Sequence, residues 1–191
     1  MSDPLPQTSL TPAEYLALER KADHKSAYVS GQIVAMSGAS RRHNQITVNI
    51  TGELHARLKG RLCFVFASDM RVKVPMTGTY AYPDVTALCE EPLFEDAHLD
   101  TLLNPSVLIE VLSDSTEAFD RGEKFSHYRR IPSLRDYLLI DQNKVRVEHF
   151  VRRDNQWVLT EKDGLEDTVE LDSIRCSLSL REIYDKVESS S

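Results

Sequence analysis

Long apolar runs are missing from this sequence. No stretch of about 18 consecutive apolar residues occurs, and the first ten residues, MSDPLPQTSL, lack the basic start and apolar core of a secretory signal. These absences argue against a helix that spans a membrane. We therefore expect a cytoplasmic protein with no membrane partner.

Cysteine is scarce, and the three cysteines form no CxxC pair. Cys63, Cys89 and Cys176 are odd in number and far apart in sequence. This pattern argues against a disulfide framework and against a zinc site built from thiolates. It predicts buried free thiols.

An excess of positive charge is also missing. The formal net charge is −7 and the pI is about 5.4, whereas nucleic-acid-binding proteins usually carry a basic excess. An acidic total can still hide a basic face, so local clusters matter more than the sum. Two clusters occur, one at Arg41 and Arg42 and one formed by Arg129, Arg130 and Arg135.

Length and composition are those of one folded domain. The chain has 191 residues, of which 41% are hydrophobic and 28% charged, close to the averages for globular proteins. We expect a single domain over residues 11–187, a flexible N-terminus over residues 1–10 and a frayed tail over residues 188–191.

Apolar periodicity and turn residues predict an α/β (α+β) fold with a central mixed β-sheet flanked by helices. Thr11 and Glu14 form a capping box, and Gly31 supplies the turn of a hairpin. Helices are predicted over 11–21, 40–59, 120–130 and 178–187. Strands are predicted over 28–29, 33–36, 63–67, 70–74, 82–89, 107–112, 137–140, 145–151 and 156–160.

Glu110 interrupts the apolar run Pro105-Ser106-Val107-Leu108-Ile109-Glu110-Val111-Leu112, a pattern typical of a strand covered on both faces. An unpaired charge buried in such a strand costs several kcal/mol, so Glu110 needs a cation, a proton or a hydrogen-bond partner. A divalent metal ion would meet that need, and so would a salt bridge.

Asp84 follows a proline near the start of a second mostly apolar strand. If the two strands are neighbours, Asp84 and Glu110 provide the carboxylates that Mg²⁺ prefers, with water and phosphate oxygens completing its coordination. The structural alternative is an aspartate in a turn.

Four segments together resemble the Uma-type restriction endonucleases of the PD-(D/E)XK restriction-endonuclease-like superfamily. They are GQIVAMSGAS followed by His43, YPDV at 82–85, IEVLSDST at 109–116, and D-x-x-x-K-x-x-x-Y at Asp120, Lys124 and Tyr128. The resemblance covers roughly residues 11–185 and implies a restriction-endonuclease-like fold. It also implies Asp84 and Glu110 as metal ligands, with Mg²⁺ or Mn²⁺ as cofactor.

The catalytic lysine of the superfamily lies two positions after the acidic strand residue, where this chain has Leu112. The family pattern implies that Lys124, on the following helix, takes that role. The alternative for Lys124 is an exposed ion pair with Asp120 at i, i+4 spacing. Tyr128 is interpreted as a packing residue.

Arg41 and Arg42 lie in the first turn of a helix, where the helix dipole disfavours cations. A nucleic-acid phosphate would relieve that conflict, so both are predicted to bind nucleic acid, although solvated arginines explain them too. His43 projects with Ile46 and Ile50 into the apolar stripe. It is interpreted as a catalytic-site residue, with a core histidine as the alternative.

The sequence departs from the family at Ala27, where relatives carry a glutamate that helps to hold metal or water. The leading prediction is a metal-dependent endonuclease that hydrolyses DNA, with catalytic residues Asp84, Glu110, Lys124 and His43, acting as a homodimer or alone. The alternative is a protein with the nuclease fold but no catalytic activity, which binds nucleic acid or has a regulatory role. A structural protein that dimerises through a sheet edge would explain none of the polar anomalies.

Overall fold

The computed structural model describes residues 10–36 and 38–187. The predicted N-terminal segment (except residue 10) and the predicted tail at 188–191 therefore lie outside the described residues. The helices are α1 (Pro12–Glu19), α2 (Arg41–Leu58), α3 (Glu117–Phe119), α4 (Phe125–Tyr128) and α5 (Leu180–Ile183), with a π-helical turn (Asp120–Lys124) between α3 and α4 and a 3-10 turn (Asp172–Ile174).

The strands are numbered in chain order. They are β1 (Ser26–Val29), β2 (Gln32–Ala35), β3 (Phe64–Ala67), β4 (Arg71–Val74), β5 (Thr79–Ala81), β6 (Val85–Leu88), β7 (Thr101–Leu102), β8 (Val107–Leu112), β9 (Asp136–Asp141), β10 (Val147–Arg153), β11 (Gln156–Lys162), β12 (Thr168–Leu171) and β13 (Cys176–Ser179).

The strands form three sheets. A six-stranded sheet has the order β11-β10-β9-β8-β6-β3, a five-stranded sheet has the order β2-β1-β5-β4-β7, and β12 pairs with β13. In the six-stranded sheet β8 and β9 are parallel and the other neighbours antiparallel. This mixed sheet with helices against it confirms the predicted fold class.

The six-stranded sheet is buried on both faces. Ile46, Ile50 and Leu54 of α2 pack on one face, together with β13 and α5. On the other face Tyr128 of α4 packs with Leu108 and with strands of the five-stranded sheet. Because β8 and β9 are parallel, the chain must cross over between them, and α3, the π turn and α4 make that crossover.

Local sequence signals account for the element boundaries. Thr11 caps α1 in the predicted capping box with Glu14, and Ser40 caps α2. Ser30 and Gly31 both have positive φ, 51° and 87°, which is the type I′ geometry of a two-residue hairpin between β1 and β2.

Several sequence predictions need correction. The predicted strand over 82–89 is shorter, because β6 begins at Val85 and ends at Leu88, and Asp84 lies just before it in the segment that links β5 to β6 of another sheet. The predicted closing helix over 178–187 is mostly absent, because its first residues form β13 and only α5 is helical. Strands β5, β7, β12 and β13 were not predicted.

The cysteine prediction is also wrong for two of the three residues. Cys63 and Cys89 form a disulfide with an S–S distance of 2.07 Å, and Cys176 is the free thiol. The pairing follows from strand register, since β3 and β6 are antiparallel with Phe64 opposite Leu88, which places Cys63 and Cys89 next to each other across the two strands. In the part of the chain described, no helix is both long and apolar enough to cross a membrane.

Candidate active site

Asp84 and Glu110 are neighbours at one end of the β6–β8 strand pair. The antiparallel register pairs Val85 with Ile109, and Asp84 and Glu110 are the next positions beyond that pair. Asp84 itself lies in the segment just before β6, and its carboxylate is close enough to Glu110 to raise the pKa of that side chain. Oδ2 of Asp84 accepts a 2.7 Å hydrogen bond from the Val111 amide, which orients this carboxylate towards β8.

Glu110 is buried among apolar side chains, with 3% of its surface exposed. Its Oε1 lies 2.8 Å from Nζ of Lys124 and accepts a 3.1 Å hydrogen bond from the Tyr128 hydroxyl. The pKa of Glu110 is raised to about 8, chiefly by burial. The ammonium of Lys124 lowers it, and the carboxylates of Asp120 and Asp84 raise it. The site therefore binds a proton, or another cation, at this carboxylate near neutral pH.

Lys124 reaches Glu110 from the crossover, above β8. Its Nζ also lies 3.0 Å from Oδ1 of Asp120, so two carboxylates share one ammonium. Burial alone would lower the pKa of Lys124, but Glu110 and Asp120 together raise it. The ion pair with Asp120 that was the predicted alternative is present, but it is buried rather than exposed.

The π-helical turn sets this geometry. It spans Asp120–Lys124 and lies directly between α3 and α4, where such turns are often found at functional sites. The backbone oxygen of Asp120 accepts a 3.0 Å hydrogen bond from the buried Tyr137 hydroxyl, which anchors the turn to β9. Leu112, at the strand position of the usual lysine, is buried in the apolar core on the same face as Glu110.

His43 approaches Asp84 from the first turn of α2. Its Nε2 lies 3.2 Å from Oδ2 of Asp84, and both side chains are 15% exposed. Its Nδ1 is buried and has no hydrogen-bond partner within residues 10–36 and 38–187. The structure thus brings His43, Asp84, Glu110 and Lys124 together.

Arg41 and Arg42 lie beside this cluster. They line a cavity of about 400 Å³ next to the start of α2, together with Ser40, Lys186 and the acidic Asp114. The cavity lies at the end of the six-stranded sheet that carries Glu110, since Asp114 and Gln142 follow β8 and β9. Three basic residues thus flank the candidate active site.

The sequence reasoning missed two contributors. Tyr128, interpreted as packing, donates a hydrogen bond to Glu110, and Asp120 is a buried partner of Lys124. The signal for both was the D-x-x-x-K-x-x-x-Y spacing, which places the three side chains on one helical face. Ala27 is buried in the apolar cluster of the same face, so β1 contributes no carboxylate at that position.

A family model described as "Uma2: Putative restriction endonuclease" matches residues 12–181. The chain belongs to the Uma2 family. The match covers the four segments that carried the resemblance, and the family's description supports a nuclease.

Two relatives and a solved structure are similar to this chain. The chain is 45% identical over 156 residues to one uncharacterized protein of Synechocystis sp., covering 81% of this chain and 88% of that protein. It is 35% identical over 184 residues to another from the same organism, covering 96% and 94%. The crystal structure of a putative nuclease from Anabaena variabilis superposes with a TM-score of 0.79 at 18% identity, covering 94% of this chain and 99% of that one, and shows that the two share a fold.

Proposed function

We propose that this Uma2 protein is an endonuclease that hydrolyses DNA phosphodiester bonds with a divalent cation, Mg²⁺ or Mn²⁺. The observation that carries the proposal is the placement of Asp84 next to Glu110, with Lys124 against Glu110 and His43 against Asp84. Four polar side chains converge at one end of an apolar sheet. Burying each of them costs folding free energy unless it is paired, and such clusters of buried ionisable groups are typical of functional sites.

The donor set fits a hard divalent cation. Oδ1 of Asp84 and Oε2 of Glu110 accept no hydrogen bond from the described residues, and burial makes the charged form of Glu110 unfavourable without a nearby cation. No group of three or more His, Cys, Asp or Glu side chains within the described ranges has metal-binding geometry. Two carboxylates are nevertheless sufficient for Mg²⁺, which keeps several water ligands.

Asp84 and Glu110 would hold the cation, which when bound supplies electrostatic stabilisation to the phosphate under attack. In the hydrolysis a water oxygen bonds to phosphorus, the bond from phosphorus to the leaving sugar oxygen breaks, and that oxygen takes up a proton. Lys124 can orient the water or donate hydrogen bonds to phosphate oxygens as negative charge develops. Glu110 and Asp120 keep its ammonium protonated for that role.

His43 acts in this proposal by positioning Asp84 rather than by touching the phosphate. Its contact with Oδ2 of Asp84, and the hydrogen bond from Val111 to the same oxygen, fix the orientation of the carboxylate. Arg41 and Arg42 would contact the nucleic-acid backbone at the flanking cavity.

Cleavage of a DNA substrate in Mg²⁺ or Mn²⁺ tests the proposal. We expect wild-type protein to cleave and Asp84→Ala to lose at least about a hundredfold in rate, on the scale of losing one site that stabilises developing charge. Equal rates for the two proteins would refute the assignment of Asp84.

The second candidate function is a nuclease-fold protein that binds nucleic acid without cutting it. The observation in its favour is Ala27, which leaves the site one carboxylate short of the family pattern. Calorimetric titration with Mn²⁺ separates the two functions. Saturable binding that Asp84→Ala abolishes supports the enzyme, and absence of binding by wild type supports the inactive protein.

A further inference from the structure

A second cavity lies at the other end of the six-stranded sheet. It has a volume of about 480 Å³, and Ser106 and Asp136, at the start of β8 and β9, are in its wall. Glu110 is four residues along β8 from Ser106, or about 13 Å at the rise of a strand. The cavity is therefore separate from the candidate active site but within the length of a short duplex.

Three arginines and three acidic residues line this cavity. Arg135, Arg152 and Arg153 line it, with the acidic residues Glu90, Asp136 and Asp172. Two of the three acids are already engaged. Asp136 accepts hydrogen bonds from Ser173 and contacts His149 Nε2 at 2.8 Å, and Asp172 faces Arg153 at 3.9 Å. Glu90 is then the remaining acidic residue in the cavity wall that can offset the positive charges of Arg135 and Arg152.

Arg152 is held in place without a carboxylate. Its guanidinium donates to the backbone oxygens of Arg129 and Pro132 and lies 4.8 Å from the centre of the Trp157 ring. Its Nε is buried and has no hydrogen-bond partner in the described part of the chain. Burial, and then the neighbouring Arg135, lower the pKa of Arg152. A guanidinium that is held in place without a carboxylate, beside a second arginine, provides positive charge that can attract an anion.

We propose that this cavity, with Arg135 and Arg152 in its wall, binds a backbone phosphate of nucleic acid. The inference rests on the proposed function, because it assumes that the nucleic acid cleaved at the candidate active site also reaches this end of the sheet. Arg129 and Arg130, exposed at the end of α4, lie next to the cavity in the chain and extend the positive surface towards Lys124. The separation of about 13 Å along β8 is comparable to the length of roughly four base pairs at 3.4 Å per step.

Trp157 is the single tryptophan of the chain, and its ring lies against the guanidinium of Arg152, so its emission reports on changes at Arg152. We would titrate a short DNA duplex into the protein in EDTA, recording Trp157 emission and the anisotropy of a labelled strand. The main variant is Arg135→Gln, because the Arg135 side chain makes no hydrogen bond or ion pair within the described residues. Arg152→Gln is the second variant, and Arg181→Gln, which removes an exposed charge paired with Glu166, is the control.

We expect saturable changes in Trp157 emission for wild type and Arg181→Gln, and an affinity lower by about tenfold for Arg135→Gln and for Arg152→Gln. Wild-type affinity in Arg135→Gln, or no change in Trp157 emission at saturating DNA, would overturn the inference. A response to inorganic phosphate with none to DNA would also overturn it, in favour of a small-anion site.

The active-site assays stay separate from this test. A normal Trp157 response in a protein that never cleaves DNA would contradict the proposed function and leave the phosphate site in place. DNA cleavage by a protein whose Trp157 emission does not respond to DNA would support the proposed function and contradict the phosphate site.

Discussion

The ammonium of Lys124 lies 2.8 Å from Oε1 of Glu110, although the two residues belong to different elements, a π-helical turn and a buried strand. The usual lysine of the superfamily lies on the strand itself, at the position of Leu112. In this chain the ammonium of Lys124, which belongs to the crossover between β8 and β9, lies against the carboxylate of Glu110. The ion pair with Glu110 therefore forms without a lysine at position 112.

Above about pH 8, where Glu110 is ionised, replacing Lys124 by methionine should destabilise the protein by about 3–5 kcal/mol, because Glu110 and Asp120 would be left buried without their cation. Urea unfolding measures the loss. The double variant Lys124→Met with Glu110→Gln should recover a large part of it, since the neutral amide needs no cation. If the two substitutions were simply additive, the ion pair would not be the reason for the loss.

Stability should depend on pH through Glu110. The folded protein holds the Glu110 proton until about pH 8, whereas the unfolded chain releases it near the ordinary value of 4.5. Between these values the native state binds more protons, so wild-type stability should fall relative to Glu110→Gln as pH rises. The upper limit is about 4 kcal/mol between pH 5 and pH 8. Parallel stability curves for the two metal-free proteins would contradict the raised pKa.

His43 should affect turnover through Asp84. We expect His43→Ala to lower kcat about 10- to 100-fold, the range for residues that orient a metal ligand, with a smaller change in KM. His43→Gln keeps a hydrogen-bond donor and should recover part of the rate. Equal losses in the two variants would show that the imidazole does more than position the carboxylate.

The disulfide should stabilise the fold by closing a loop between β3 and the end of β6. For a sequence separation of 26 residues, chain entropy alone predicts about 3.5 kcal/mol. The double variant Cys63→Ser with Cys89→Ser should lose that amount in urea unfolding, and Cys176→Ser serves as the control. A loss no larger than that of Cys176→Ser would argue against a bridge in solution.

Much of the candidate site was predictable from single residues. Glu110 was conspicuous because a charge interrupted an apolar strand, and His43 because it lay on the apolar stripe of α2. Tyr128 and Asp120 were harder, because their roles depend on how the crossover packs on β8. The cysteine pair was not predictable from sequence spacing, since it depends on the register of β3 and β6.

The break at Asp84 has a similar origin. The run from Tyr82 to Leu88 is continuously apolar apart from Asp84 and Thr86, so periodicity alone cannot divide it. The later start of β6, at Val85, comes from tertiary structure, because residues 82–84 link β5 of one sheet to β6 of another. The local pattern therefore identified Asp84 and Glu110, and the register of β6 and β8 shows that they are neighbours.

DNA cleavage by Glu110→Gln, compared with wild type and with Asp69→Asn, tests the central claim most directly. Asp69 is an exposed carboxylate paired with Lys25 and serves as the matched control. In Mg²⁺, wild type and Asp69→Asn should cleave at similar rates, Glu110→Gln should be inactive although folded, and EDTA should stop all cleavage. Cleavage by Glu110→Gln at the wild-type rate, or cleavage that persists in EDTA, would contradict a metal-dependent nuclease centred on Asp84 and Glu110.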